Sequence, residues 1–229
     1  MNKGDFSMKF HMCGFFYKQI MASARAILDT TNSNHNGICT RTIRVEGKPN
    51  NKITFTVLNS WGAVHHQISF PSGSIIQNSW NLMGITNKVD EFVVYMEPPK
   101  YYNIPDSCQV DWTIENNFVF IKYLDGYGMA CSPLTFDHAN YPDIETLMDS
   151  STDEYNAIGG GSHNDNTKVE YHYDSTKVKA ILTGMNGILN FYRPPCPDSK
   201  NPMLVECLNK YKGDTMVSRG LLFPMRIVL

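Results

Sequence analysis

The stretch Lys52-Ile53-Thr54-Phe55-Thr56-Val57-Leu58 decides the class of fold. Ile53, Phe55 and Val57 alternate with Thr54 and Thr56, the period of two that a strand imposes when one face is buried. Every second residue is also β-branched or aromatic, which suits a pleated surface. Upstream, Gly47–Asn51 carries Pro49 and reads as a hairpin turn leading back to a strand over Ile38–Val45. Downstream, the same signals recur at His65–Phe70, Phe92–Met96, Gln109–Ile114 and Phe118–Leu124. They recur again at Val169–Tyr173, Val178–Leu182, Gly187–Arg193, Met203–Leu208 and Leu221–Leu229. Pro71-Ser72-Gly73, Pro98-Pro99, Glu115-Asn116-Asn117 and Pro194-Pro195 punctuate the series. Many short strands between Pro, Gly and Asn turns indicate an all-β sandwich or barrel.

Two helices are expected. Residues 7–28 contain one, because Phe15, Phe16, Ile20, Ala24, Ile27 and Leu28 recur at helical spacing. Residues 1–37 are therefore read as an N-terminal arm or helix and 38–229 as one β-domain. Within that domain, 125–166 is read as a long polar loop insertion. It holds the second helix at Pro142–Asp149, where Pro142 suits the first turn, Asp143 and Glu145 suit the positive helix start, and Ile144, Leu147 and Met148 share a face.

The chain has 229 residues, 42% hydrophobic and 18% charged, with a net charge of -2. The hydrophobic fraction suffices for a core, and the low charge leaves neutral surface of the kind that other subunits bury. Lys and Arg exceed Asp and Glu by seven to three over residues 1–50, and fall behind by eight to sixteen over 51–194. The basic residues Lys9, Lys18, Arg25, Arg41 and Arg44 are thus the candidates for contact with phosphate.

Site motifs are missing. No GxSxG, GxxxxGK[ST], GxGxxG or HExxH is present. His65 and His66 are adjacent, so on a strand they point to opposite faces and do not chelate one ion together. The six cysteines form no CxxC pair. With no signal-peptide pattern and no glycosylation sequon, they are read as reduced thiols. Asp106, Asp111, Asp125, Asp137 and Asp143 lie in or near loops, where calcium could bind, but without the spacing of an EF-hand. No apolar run approaches membrane-span length. No catalytic residue, metal ligand or cofactor is expected, and the chain is read as a non-enzyme.

The order of these features carries a resemblance. Strand Phe92–Met96 runs into Glu97-Pro98-Pro99, and strand Phe118–Leu124 follows. Then come Asp137, the run Tyr141-Pro142-Asp143-Ile144-Glu145-Thr146-Leu147-Met148, the basic Lys177-Val178-Lys179, and the hydrophobic Leu221–Leu229. Over residues 38–229 this layout resembles the coat proteins of small circular single-stranded DNA viruses of eukaryotes, the circovirus and genomovirus type. The resemblance implies a single jelly-roll β-sandwich of about eight main strands. It implies a capsid protein that self-assembles as a homo-oligomer into a small icosahedral shell around packaged single-stranded DNA. Its place is then the virion, and the host nucleus or cytoplasm during assembly, with no membrane partner. Genome contact falls to the N-terminal side, through Lys9, Lys18, Arg25, Arg41 and Arg44. One departure stands out: residues 1–37 hold only Lys3, Lys9, Lys18 and Arg25 where such coat proteins carry an Arg-rich arm. The alternative reading is a lectin-like carbohydrate-binding module using Tyr101, Tyr102, Trp112 and loop carboxylates.

Overall fold

A computed structural model describes residues 6–28, 41–71, 76–79, 92–99, 103–115, 117–124, 126–135, 142–157, 173–192 and 202–223. The chain opens with strand β1 (Phe6–Cys13) and turns directly into helix α1 (Gly14–Ile27). A meander follows: β2 (Ile43–Lys48), β3 (Lys52–Asn59) and β4 (Gly62–Ser69), then β5 (Ile76–Ser79). Strands β6 (Phe92–Met96), β7 (Gln109–Glu115), β8 (Phe118–Tyr123) and β9 (Gly128–Thr135) come next. Helices α2 (Ile144–Ala157) and α3 (Ser175–Leu182) precede β10 (Ile188–Tyr192), β11 (Met203–Tyr211) and β12 (Asp214–Leu222).

Among the described residues the twelve strands form one continuous order, β10-β11-β12-β4-β3-β2-β6-β9-β8-β7-β1-β5, with every pairing antiparallel. This corrects the expected eight-stranded jelly roll. Alternation fixes which residues of a strand face inward, but it says nothing about which strands pair. Here the C-terminal strand β12 inserts beside β4, and β1 inserts between β7 and β5.

The β2–β3 hairpin turns within the expected Gly47–Asn51, between Lys48 and Lys52. Asn50 and Asn51 hold φ of 63° and 56°, the left-handed conformation that Asn tolerates in a tight turn. Ile53, Phe55 and Val57 are buried as expected, yet Thr54 and Thr56 are buried too. Both faces of this part of the sheet are covered, by α1 and α3 on one side and α2 on the other. Alternation along β4 and β12 sorts the two sides. Val64, His66 and Ile68 of β4, with Met216, Ser218, Gly220 and Leu222 of β12, face α1 and α3. Ala63 and His65, with Arg219 and Leu221, face α2. The main core lies on the first side and under β1, β7 and β8. There Phe10 stacks on Trp112 at 5.5 Å and the Tyr17 and Tyr123 hydroxyls meet at 2.5 Å. A smaller core, Leu58, Ala63, Leu204 and Leu221 against Ile144 and Met148, lies under α2.

Two expected segments change type. Lys177–Leu182, read as a strand, is helix α3. Asp174 caps it, its carboxylate accepting from the amides of Thr176 and Lys177. Val178, Ile181 and Leu182 then recur at helical spacing, with Ile181 buried. Part of the expected loop 125–166 is strand β9 and helix α2, which extends the short helix expected there to Ala157. Helix α1 starts at Gly14, where a Cβ would strike the Pro105 carbonyl, and Phe6–Cys13 before it is a strand. The expected strand Val169–Tyr173 has its first four residues outside the described ones. Cys39 and Cys196 also lie outside them. The described Cys13, Cys108, Cys131 and Cys207 are free thiols.

Candidate nucleic-acid interface

Helices α1 and α3 pack together on one face of the sheet, α1 over β3 and β4 and α3 over β4 and β12. Their approach depends on small residues. A Cβ at Gly184 would land on Ser23 Oγ, and one at Gly220 would strike Ile181 and Met185. The charge of this layer is one-sided. The sequence of α1 contains Lys18 and Arg25, that of α3 contains Lys177 and Lys179, and neither contains an acid. Arg25 and Lys179 are exposed. Lys177 holds its ammonium 5.9 Å from the Trp61 ring centre, and Lys18 is paired with Asp106. The helix on the opposite face has the reverse composition, while the sheet beneath it supplies Arg44, Lys48 and Arg219. Helix α2 contains Glu145, Asp149, Asp153 and Glu154 and no base.

A buried polar chain ties this layer to the sheet. His66 Nε2 lies 2.9 Å from Ser23 Oγ on α1, and Nδ1 lies 2.8 Å from Ser218 Oγ on β12. Asn209 sets the direction of the bonds beyond Ser218. Its Oδ1 accepts the amide of Asn186, so its Nδ2 donates to Ser218 Oγ at 2.7 Å. In a neutral His66 one ring nitrogen donates and the other accepts, and Ser218 and Ser23 take the complementary roles. Burial, and then the neighbouring His65, push the His66 pKa down to about 3.

Ion pairs tie α2 to the other face. Lys48 bonds Glu145 at 2.9 Å and Glu46 at 3.0 Å, Arg44 bonds Glu46 at 3.1 Å, and Arg219 bonds Asp149 at 2.5 Å. Burial alone lowers the Lys48 pKa, but the bonds to Glu145 and Glu46 outweigh it and hold the ammonium above its ordinary value. His65 sits beneath these groups. Its Nδ1 is 2.9 Å from Thr56 Oγ1, and burial followed by the charges of Arg219, Lys48 and Arg44 depresses its pKa to about 3.

The five basic residues expected to meet phosphate are divided by the fold. Lys18 and Arg25 lie in the α1–α3 layer. Lys9 is exposed on β1, on the side of the strand opposite buried Met8 and Phe10. Arg44 is half-buried on the α2 face, and Arg41 is exposed just ahead of β2. Lys177 and Lys179 join the layer because their segment is helical. The signal for that was Asp174 ahead of an acid-free apolar repeat. The alternative sugar site loses its centre, since Trp112 is fully buried, while Tyr101 and Tyr102 lie outside the described residues. Three of the acids considered for calcium are otherwise engaged: Asp106 pairs with Lys18, Gln109 donates to Asp111, and Asp143 caps α2 through Thr146. Among the described residues no group of three or more metal-ligating side chains converges. None of the described helices is long and apolar enough to cross a membrane.

No family model and no curated protein matches the sequence. Solved structures do match the fold. The DNA polymerase sliding clamp of Pseudomonas aeruginosa aligns with TM-score 0.57 at 10% identity, covering 96% of this chain and 66% of the clamp. The Helicobacter pylori beta clamp bound to a DNA ligase peptide aligns with TM-score 0.60 at 9% identity, covering 96% and 65%. The beta subunit of DNA polymerase from Streptococcus pyogenes aligns with TM-score 0.56 at 10% identity, covering 95% and 66%. The chain thus spans just under two thirds of the clamp chains it matches. These likenesses overturn the resemblance to circular single-stranded DNA virus coat proteins. The capsid and lectin functions, the icosahedral shell, the packaged single-stranded genome and the virion location fall with it. The fold of this chain is that of the bacterial sliding clamps.

Proposed function

We propose that the chain is a clamp-type subunit that holds duplex DNA against its α1–α3 layer, works as an assembly of several copies, and acts without catalysis of its own. The observation that carries this is the charge segregation of the helices. Two acid-free basic helices lie side by side on one face, and an acidic helix covers the other. A protein that travels along DNA needs contact with phosphate and no reading of bases, which mobile Lys and Arg side chains supply. Arg25, Lys177 and Lys179 are placed for that work, whereas Lys18 is already paired with Asp106, and on the far side Glu145 and Asp149 of α2 are paired with Lys48 and Arg219. Lys9, Arg41 and Arg44 lie apart from the layer and are assigned no contact with the duplex.

Fluorescence anisotropy of a labelled DNA duplex tests this. Arg25→Glu with Lys179→Glu should weaken binding at low salt and flatten its salt dependence, by about 0.9 in log–log slope for each phosphate no longer neutralised. Lys9→Glu should leave both unchanged. Equal losses from Lys9→Glu and the helix pair would remove the assignment.

A further inference from the structure

On the face that α2 covers, the adjacent strands β2, β3, β4 and β12 place one polar residue each in a single cross-strand row. Arg44 is registered with Thr56, Thr56 with His65, and His65 with Arg219. Three strand spacings, roughly 14 Å of sheet, separate the two arginine positions. His65 is the buried member of this row, 2% exposed, with a cation on either side. Thr56 Oγ1 is the partner of its Nδ1, while its Nε2 is buried with no partner among the described residues.

Charged and titratable groups face this ring from every element around it. Strand β2 supplies Arg44, Glu46 and Lys48, β3 supplies Lys52, β6 Tyr95, β11 Glu206, β12 Arg219, and α2 Glu145 and Asp149. The nearby carboxylates bond cations and not the ring: Glu46 takes Arg44 and Lys48, Glu145 takes Lys48, and Asp149 takes Arg219. An imidazolium at position 65 would therefore join three cations in a dry site and still leave Nε2–H without an acceptor. Burial and the charges of Arg219, Lys48 and Arg44 hold the ring neutral, and Asp149 opposes them.

Helix α2 is the element placed to leave. It takes no part in the sheet. Its buried residues, Ile144 and Met148, lie in the smaller core with Leu58, Ala63, Leu204 and Leu221, which shares no residue with the main one. A segment with so few buried apolar contacts opens at a lower free energy than the sheet it rests on.

We infer that α2 is an acid-released cover, which lifts from the sheet when His65 takes up a proton and bares the cationic row Arg44–His65–Arg219. Closed, Glu145 and Asp149 neutralise that face. Open, the face presents an imidazolium between two guanidiniums. The sign follows from the ring. Under α2 its pKa is held at about 3, and in water it returns to its ordinary 6.5. The closed form is fully favoured above pH 6.5 and loses ground as pH falls from there toward 3. At pH 5 the opening equilibrium should exceed its value at pH 8 by roughly 30-fold. Nothing in this device depends on duplex binding.

Hydrogen exchange on the full chain tests it, read as protection factors corrected for the intrinsic rate at each pH. The α2 amides should be less protected than those of β3 and β4 at both pH 8 and pH 5, and should lose roughly 30-fold of their protection between the two. In His65→Gln, which has no proton to gain, α2 protection should hold constant across that range. Asp149→Asn alters an exposed side chain and keeps the ring. It should lower α2 protection at pH 8 and leave the further loss toward pH 5 in place. An α2 protection that is equal at the two pH values, that falls as much in His65→Gln as in the wild type, or that never drops below that of β3 and β4 would overturn the inference.

Discussion

His66 Nε2 and Ser23 Oγ are 2.9 Å apart in the fully buried seam between α1 and the sheet. The bond is one link of a chain that joins Asn186, Asn209, Ser218, His66 and Ser23, from the loop after α3 through the sheet to α1. Ser23→Ala leaves Nε2 buried without its hydrogen-bond partner. The expected cost is about 1–3 kcal/mol of stability, measured by urea unfolding. Asn209→Ala should cost a similar amount, and the double variant less than the sum, because the two act on one network.

Gly184 presses on the same seam. Gly184→Ala should destabilise by about 1–3 kcal/mol, since the new methyl meets Ser23 Oγ and the Gln19 carbonyl at the α1 contact. In a Ser23→Ala background part of that clash disappears, so the Gly184→Ala penalty should shrink. Equal penalties in both backgrounds would mean that the backbone of Gln19 sets the cost.

Acid should loosen the fold well above the carboxylate range. His65 and His66 are neutral when folded, with pKa values held near 3, against an ordinary value of 6.5. Between those values the unfolded chain binds more protons, so stability falls as pH drops from about 6.5 toward 3. Urea midpoints measured across that window check the direction. His66→Gln should be less stable at neutral pH and show a shallower acid loss.

Helix α3 depends on its cap. Asp174→Ala should cost about 0.5–2 kcal/mol by removing acceptors for the amides of Thr176 and Lys177. Asp174→Asn should cost less, since the side-chain oxygen remains, and thermal unfolding distinguishes the two.

Strand positions were readable in the sequence wherever one face meets the core, as at Ile53, Phe55 and Val57, and where Asn50-Asn51 or Pro98-Pro99 ends a strand. Pairing was not readable. That β12 lies beside β4, and β1 between β5 and β7, depends on contacts made across the whole chain, and an eight-stranded sandwich fits the same alternation. Lys177–Leu182 was ambiguous because its alternating Lys and apolar residues satisfy a short strand, and only the Asp174 cap favours a helix. The basic candidates were found as residues but not as a surface. Lys18 and Arg25 acquire neighbours in Lys177 and Lys179 only when α1 and α3 meet, and Arg44 is turned away from them by the pleat of β2.

Photo-crosslinking from chosen positions tests the central claim most directly. A benzophenone side chain replaces Arg25 or Lys179 in the α1–α3 layer, or Glu145 or Asp149 on α2, and each protein is irradiated with labelled duplex DNA at low salt. The charge segregation predicts DNA adducts from the α1–α3 positions and none above background from α2. Adducts from Glu145 or Asp149 equal to those from Arg25 and Lys179 would contradict a duplex held against the helical layer.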